Sequence, residues 1–351
     1  MLEVMKKLLQ SRCLKIALVG LGALFTVDGG AALAASTTLE TIRARGHVLC
    51  GVSEAQPGFS EASQSGERSG LDVEFCSALA AAVFGSKDAV KFWPLSANDR
   101  FKALQSGDVD VVARGAAWTL SRDTEFGAHF TGVLFYDGQG FLTRRGNAVA
   151  SVFELSGASI CTLPGVMGEQ GVSEFFGTQR MRYQVVAQDN WDDLVKAYAT
   201  GNCTVLTGDV SLLAVARSKL KTPEDHIILP ELITKEPLGP AVRQDDPQWF
   251  AVVRWTLMAL IEAEELGLTR DNVDAKRAST EPEIRRFLGL EANLGQALGL
   301  PRDWGYQVVK NVGNYGEIFE RTLGAKSDLK LTRGLNNLWT KGGLMYSMPF
   351  R

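Results

Sequence analysis

Ala103-Leu104-Gln105-Ser106-Gly107-Asp108-Val109-Asp110-Val111 and Ala197-Tyr198-Ala199-Thr200-Gly201-Asn202-Cys203-Thr204-Val205 are two renderings of one phrase: a helix ended by glycine and followed at once by a strand. Working outward from the first copy, the pattern predicts a strand over 47–52, a helix over 72–84 closed by Gly85 and a strand over 90–95. Asn98 is expected to cap the helix that Gly107 ends, and a strand is predicted over 109–112. A polar loop rich in Ser, Gly and Glu fills 53–70, and Thr37-x-x-Glu40 is a capping box for a short helix that Gly46 closes. Around the second copy the order recurs: strand 158–163, helix near 169–176, strand 182–187, helix 190–200, strand 203–207.

Strands separated by helices form parallel sheets, because a parallel connection needs a crossover long enough to hold a helix. The fold class is therefore α/β, with two similar units that each carry a mostly parallel sheet flanked by helices. Ligands in such sheets sit beyond the carboxyl ends of the strands, at a switch in strand order. Two such ends facing each other make a cleft. Residues 135–145 and 229–243 look extended and are the expected crossings, so the chain leaves one lobe, builds the second and returns. This places one lobe at 36–139 and 237–351 and the other at 140–236. From Asp246 with Pro247, a good cap and first helical position, the sequence is helical to about residue 323 and is expected to cover lobe one. The last thirty residues receive no task.

With 45% apolar and 22% charged residues in 351, the chain has a globular balance, which excludes disordered and collagen-like classes. Residues 1–35 differ: Lys6, Lys7, Arg12 and Lys15 precede an apolar run over 16–27, and Ala31-Ala32-Leu33-Ala34-Ala35 offers a small-residue cleavage site. The run is too short for a membrane anchor, which needs about twenty apolar residues, so a cleaved signal peptide is expected. Cys13 lies before that run, the wrong place for lipid attachment. The segment carries four basic and two acidic residues, so its removal takes the formal charge from -3 to -5. A mildly acidic surface argues against nucleic acid as a partner.

Cleavage leaves Cys50, Cys76, Cys161 and Cys203, an even number bound for an oxidising compartment, and two disulfides are expected. Of the three connectivities, Cys50 with Cys76 and Cys161 with Cys203 keeps each bridge inside one lobe. Four buried free thiols are the competing reading. No Cys-x-x-Cys occurs and His47, His129 and His226 are scattered, so no metal is expected, and no cofactor either.

After the first lobe's third strand comes Arg114-Gly115-Ala116-Ala117-Trp118-Thr119-Leu120-Ser121-Arg122-Asp123. The planar fork of Arg122 suits a carboxylate, and the small residues before it let backbone N–H groups approach an anion. The plain alternative is a surface arginine paired with Asp123 or Glu125. The matching end of the second unit is Thr207-Gly208-Asp209, where a carboxylate would receive an ammonium group or simply cap the next helix. Trp118, Phe59 and Trp93 are candidate pocket walls, with a core role as the default for each.

Tyr136-Asp137-Gly138-Gln139-Gly140-Phe141, Glu236-Pro237-Leu238-Gly239-Pro240-Ala241-Val242-Arg243, Gly313-Asn314-Tyr315-Gly316-Glu317 and Arg333-Gly334-Leu335-Asn336-Asn337-Leu338-Trp339 resemble the periplasmic amino-acid-binding proteins. The resemblance is strongest to the binding component of general L-amino acid ABC transporters, and it runs from about residue 38 to 351. It implies a two-lobed periplasmic binding protein that closes by hinge motion, a monomer that hands an amino acid or derivative to an inner-membrane ABC permease. It also implies Arg122 on the ligand carboxylate and Asp209 on its amino group; Gly115, Ala117, Val166, Trp118 and Phe59 complete the candidate ligand-binding set.

The departures bear on the ligand. Such relatives carry hydroxyl or amide side chains before the arginine, where this chain has Gly115, Ala116 and Ala117, and Gly-Thr-Thr where it has Gly165-Val166-Met167. Each side-chain hydrogen bond lost to a charged group costs about 1.5 to 3 kcal/mol. These departures point to a changed or weakened specificity, for a bulkier or more apolar amino-acid derivative. Two other functions compete. Relatives of this fold include cyclohexadienyl dehydratases, for which Glu169 and Asp209 are the candidate acid or base groups, although no nucleophile elbow, phosphate loop or zinc motif is present. A sensory module presenting its ligand to a receptor is the other.

Overall fold

The computed structural model describes residues 37–163 and 167–351, so the expected signal peptide, Cys13, Gly165 and Val166 lie outside the described residues. Thr37 caps the helix Thr38–Arg45 in a full capping box, and Gly46 ends it at φ 80°. The strand Val48–Ser53 then lies second from one edge of a five-stranded sheet. It pairs in parallel with Val90–Leu95 on one side and Val111–Val112 on the other. Ala241–Arg243 comes next, antiparallel to Val111–Val112, and Ala128–Phe130 closes the far edge. The helices Leu71–Phe84 and Arg100–Ser106 make the crossovers. The second helix begins at Arg100 with Asp99 at the cap position, not Asn98, because the Ser96 hydroxyl engages Asp99 and turns the chain there.

A second sheet repeats the plan. Tyr183–Ala187, Ala158–Thr162 and Val205–Asp209 are parallel, then Gln139–Arg144 runs antiparallel and His226–Ile228 forms the edge. Its helices are Met167–Thr178, Trp191–Thr200 and Val210–Ser218. The repeated phrase thus marks the same turn in two sheets, with Gly107 and Gly201 both left-handed at helix ends. Between the sheets runs a two-stranded ribbon, Phe135–Asp137 against Glu236–Leu238.

The helix Pro247–Glu265 starts where expected, with Asp246 accepting the Trp249 N–H at 2.8 Å. Its buried face, with Trp304, Val308, Tyr315 and Phe319 from the helices Trp304–Val312 and Tyr315–Thr322, shares one apolar cluster with the first sheet and the helix Leu71–Phe84. This is the helical extension on lobe one. The chain end joins it through Phe350, whose ring lies 5.2 Å from Trp255 and 5.4 Å from Phe287. Bridges Cys50–Cys76 and Cys161–Cys203 tie a strand to a helix in the first lobe and two segments of the second sheet's core. Among the described residues no helix is long and apolar enough to cross a membrane.

Candidate functional site

A cleft of about 470 Å³ opens beside the ribbon, lined from both sheets. On the first lobe's side Val111–Val112 leads into the segment Arg114–Thr119, which is held in three ways. The buried Asp72 carboxyl accepts the Gly115 N–H at 3.0 Å, Trp118 N–H donates to the Pro237 carbonyl at 2.7 Å, and Gly239 N–H donates to the Ala116 carbonyl at 3.1 Å. Gly115 turns at φ +49°, a left-handed conformation that side chains resist. Ala117 is thereby set beside Leu238, and Gly115 and Ala117 both line the cleft.

Thr119 caps the short helix Leu120–Glu125 by accepting the Arg122 N–H. The Arg122 side chain folds back into the cleft wall, where Nη1 donates to the Ala117 carbonyl at 2.9 Å. Neither Asp123 nor Glu125 is its ion-pair partner. The Asp123 carboxylate accepts the Phe130 N–H instead. A second guanidinium stands close by. Arg100, first residue of its helix, lines the same cleft and is only 8% exposed. Its Nε has no hydrogen-bond partner among the described residues. Burial pulls its pKa down to about 10, and the charges of Arg122 and Arg114 push in the same direction.

Across the cleft Asp209 ends the strand Val205–Asp209. It occupies the cap position of the helix Val210–Ser218, yet its side chain makes no capping bond. Asp137 does that work: its Oδ1 accepts the Ser211 N–H at 3.3 Å, while the Gly138 carbonyl accepts the Val210 N–H at 3.0 Å. The Asp209 carboxylate is left to face the cleft, with its pKa raised by burial. Glu236 on the ribbon also lines the cleft. Burial and the Asp209 charge raise its pKa, and the Arg122 charge lowers it, so the fields of both lobes meet there.

The floor is polar. Gln139 donates to the Gly168 carbonyl at 2.6 Å and to Thr207 Oγ1 at 2.9 Å, and Oε1 has no partner among the described residues. Gly168 lies at the start of the helix Met167–Thr178, whose partly positive end thus faces the cleft. Trp191 supplies an aromatic wall because Gly208 is bare: a Cβ there would stand 2.7 Å from the indole ring.

Of the residues singled out in the sequence, the structure brings together Arg122, Asp209, Gly115 and Ala117. Phe59 is not with them. It is buried in the first lobe's core, edge-on to Phe135 at 5.3 Å, because the loop before the helix Leu71–Phe84 turns it inward. Trp118 stacks on Phe130 at 5.9 Å, giving its ring to packing and only its backbone to the ribbon. Trp93 lies half exposed on the strand Val90–Leu95 at the sheet's edge. Glu169 is outside the cleft lining. Sequence reasoning missed Arg100, Gln139, Trp191 and Glu236. The only signals were an arginine opening a helix and a Thr-Gly-Asp strand end with room for a ring. Among the described residues no group of three or more His, Cys, Asp and Glu is placed to hold a metal.

The sequence pattern of the bacterial extracellular solute-binding proteins, family 3, matches residues 48–271. The general L-amino acid-binding periplasmic protein AapJ of Rhizobium johnstonii is 50% identical over 324 residues, 92% of this chain and 95% of its own length. The glutamate/glutamine/aspartate/asparagine-binding protein BztA of Rhodobacter capsulatus is 44% identical over 338 residues, 96% and 99% of the two chains. Among solved structures, an ABC transporter periplasmic binding protein from Brucella ovis with glutathione bound superposes with a TM-score of 0.77 at 46% identity, covering 90% of this chain and 100% of that one.

Proposed function

The chain belongs to the bacterial extracellular solute-binding proteins, family 3, and we propose that it captures an amino-acid-like zwitterion bearing a second acidic group, such as glutathione, for an ABC importer. One observation carries this reading: two guanidinium groups, one buried with an unmet Nε, line one side of a cleft whose other side presents Asp209. Arg122 takes the α-carboxylate in a two-bond fork. Asp209 receives the ammonium group, and its ionised form, which burial disfavours, is restored by that cation. Arg100 takes the second acidic group. A buried donor without a partner is costly, and a ligand oxygen there removes the cost.

A tripeptide-sized ligand also fits the bare Gly115 and Ala117, which leave space where hydroxyl side chains would reach inward. The Brucella protein supports a ligand larger than a free amino acid, and the names of the Rhizobium and Rhodobacter proteins support amino-acid chemistry in general. We assign 36–139 and 237–351 to the first lobe and 140–236 to the second, with the ribbon as hinge. Residues 1–35 direct export to the periplasm, where the protein works as a monomer with the permease as its partner and returns its ligand unchanged.

A thermal-shift screen of ligand-stripped mature protein tests this, against the L-amino acids, reduced glutathione, other γ-glutamyl peptides, opines and prephenate-like acids. A ligand at a hundred times its Kd adds about 2.7 kcal/mol. Stabilisation by reduced glutathione, with the compound recovered intact, is the expected result. Stabilisation only by monocarboxylic apolar amino acids would remove the second acidic group from the account, and a changed product would turn the protein into an enzyme.

A further inference from the structure

After the helix Tyr315–Thr322 the chain runs without regular structure to the single turn Gly334–Asn336, yet it is held along its length. Leu329 packs where a side chain at Gly58 would stand, 2.6 Å from a Cβ there, and Leu331 N–H donates to the Leu323 carbonyl at 2.8 Å. Both leucines are buried in the first lobe's apolar cluster, which also takes in Ala214 and Val215 of the helix Val210–Ser218. Arg333 makes two parallel bonds to the Glu264 carboxylate, 3.0 and 3.1 Å, beneath the rings of Tyr315 and Phe319. Asn336 then brackets Tyr136: it accepts the N–H at 2.7 Å and donates to the carbonyl at 3.0 Å. Tyr136 stands opposite Pro237, whose own carbonyl accepts the Trp118 N–H on the far side, so both Tyr136 backbone groups face outward and the amide side chain takes the place of a third strand on the ribbon.

From the other lobe, Arg217 on the helix Val210–Ser218 reaches back and donates to the carbonyls of Leu329 at 2.6 Å and Lys330 at 3.1 Å. Between these parts lies a groove of about 840 Å³, lined by Tyr136, Arg217, Ile228, Pro230, Leu331 and Leu335 among others. Glu236 and Leu238 line the ligand cleft, whereas Tyr136 is paired with the residue between them. Side chains alternate along a pleated strand, so Tyr136 lies on the face of the ribbon away from Glu236 and Leu238, while Phe135, which also lines the groove, is paired with Leu238. Were the lobes to rotate about the ribbon so as to narrow the cleft, the groove would widen on the Tyr136 side and Arg217 would move away from Leu329.

We propose that residues 329–336 are a strap holding the lobes apart, and that Arg217 is a positioning residue whose bonds to it are given up on closure. The strap sets ligand affinity without touching ligand, because affinity falls with the population of the closure-competent form. The inference rests on hinge closure as described under the proposed function, but its first readout needs no ligand.

The experiment measures the distance between nitroxide labels at exposed Lys102 and Lys196, one on each lobe, attached through ketone side chains so that the disulfides are untouched. Ligand-free Arg217→Ala is expected to populate the short distance more than wild type, and Arg217→Lys, which keeps a donor, to fall between them. Asn336→Ala loosens the strap at the ribbon and shifts the distribution the same way, which covers the case of an unstable Arg217 variant. Affinity for reduced glutathione should rise about tenfold in Arg217→Ala, the size of one charge-assisted hydrogen bond. Distance distributions identical to wild type, or shifted to longer separations, overturn the strap. If glutathione binds neither protein the ligand assignment fails, and the distances still decide the strap.

Discussion

Asp137 and Asp209 lie close enough for the charge of one to raise the pKa of the other, and burial raises both. For Asp137 the result is about 7 against an ordinary 3.8. A carboxyl with a raised folded value binds its proton more tightly in the folded protein, so its contribution to stability is present at low pH. It is lost as pH climbs from near 4 to about 7 and stays lost above. Asp137→Asn keeps an oxygen for the Ser211 N–H and has no proton to lose. It should gain on wild type as pH rises, by on the order of 3 kcal/mol between pH 4.5 and pH 8 in paired urea melts. A constant difference across that range would show that Asp137 does not titrate as described. Arg100→Met addresses the other side of the cleft. Affinity for reduced glutathione should drop at least about tenfold, from the loss of a buried charge-assisted contact, with little change for an apolar monocarboxylic amino acid. Calorimetric titration of both ligands checks the contrast. Arg122 and Asp209 were candidates in the sequence because they lie after matching strand ends of the two units and because the resemblance implies them, and both line the cleft. Arg100 was not, since its place in the cleft depends on where its helix starts, and the expected cap at Asn98 put that start out of step. Phe59 and Trp118 misled for a related reason: an aromatic near a cleft and one in the core have the same local sequence.

The strands and helices were more legible than their neighbours in space. Glycine ends and polar caps fixed most boundaries to within a residue or two, as at Gly46, Gly85, Gly201, Asn190 and Asp246. The strand Val111–Val112 is shorter than its pattern: Asp110 N–H still donates to the Leu49 carbonyl at 2.9 Å, but the Asp110 carboxylate accepts the Leu49 N–H where a strand carbonyl would extend the ladder. The antiparallel returns of Gln139–Arg144 and Ala241–Arg243 carry no local mark, since what sets them is the crossing of the chain between sheets. The bridges act at this scale too. Cys50–Cys76 spans 26 positions and Cys161–Cys203 spans 42. Each should contribute about 3 to 4 kcal/mol through the unfolded chain, so Cys50→Ser/Cys76→Ser and Cys161→Ser/Cys203→Ser should each lower the melting temperature. Equal melting of the double variants and wild type in calorimetry would contradict that. Gly115→Ser restores a hydroxyl of the kind the resemblance implies at this segment, but at φ +49° it should cost about 1 kcal/mol.

At the scale of the whole molecule, two sheets of like plan face each other across a ribbon, with a helical extension on one and residues 329–336 bonded both to the ribbon and to the helix Val210–Ser218. In the proposed function a zwitterion lies between the opposite charges of the two lobes, which would give ligand a higher affinity for the closed arrangement and so drive closure. Small-angle scattering should show a smaller radius of gyration on adding reduced glutathione to stripped protein. No change at saturation would mean binding without hinge motion. The last thirty residues were silent in sequence because their work is bonding to backbone, as Asn336 does to Tyr136, and backbone partners leave no trace in side-chain pattern.

The most direct test of the central claim is the Kd of reduced glutathione for stripped wild-type protein and for Arg122→Ala, by isothermal titration calorimetry. Removing one partner of a desolvated charged contact costs about 2 to 5 kcal/mol, so the account predicts a loss of about thirtyfold or more in the variant. Affinities within a few fold of each other would show that the carboxylate sits elsewhere and that Arg122 is not its partner.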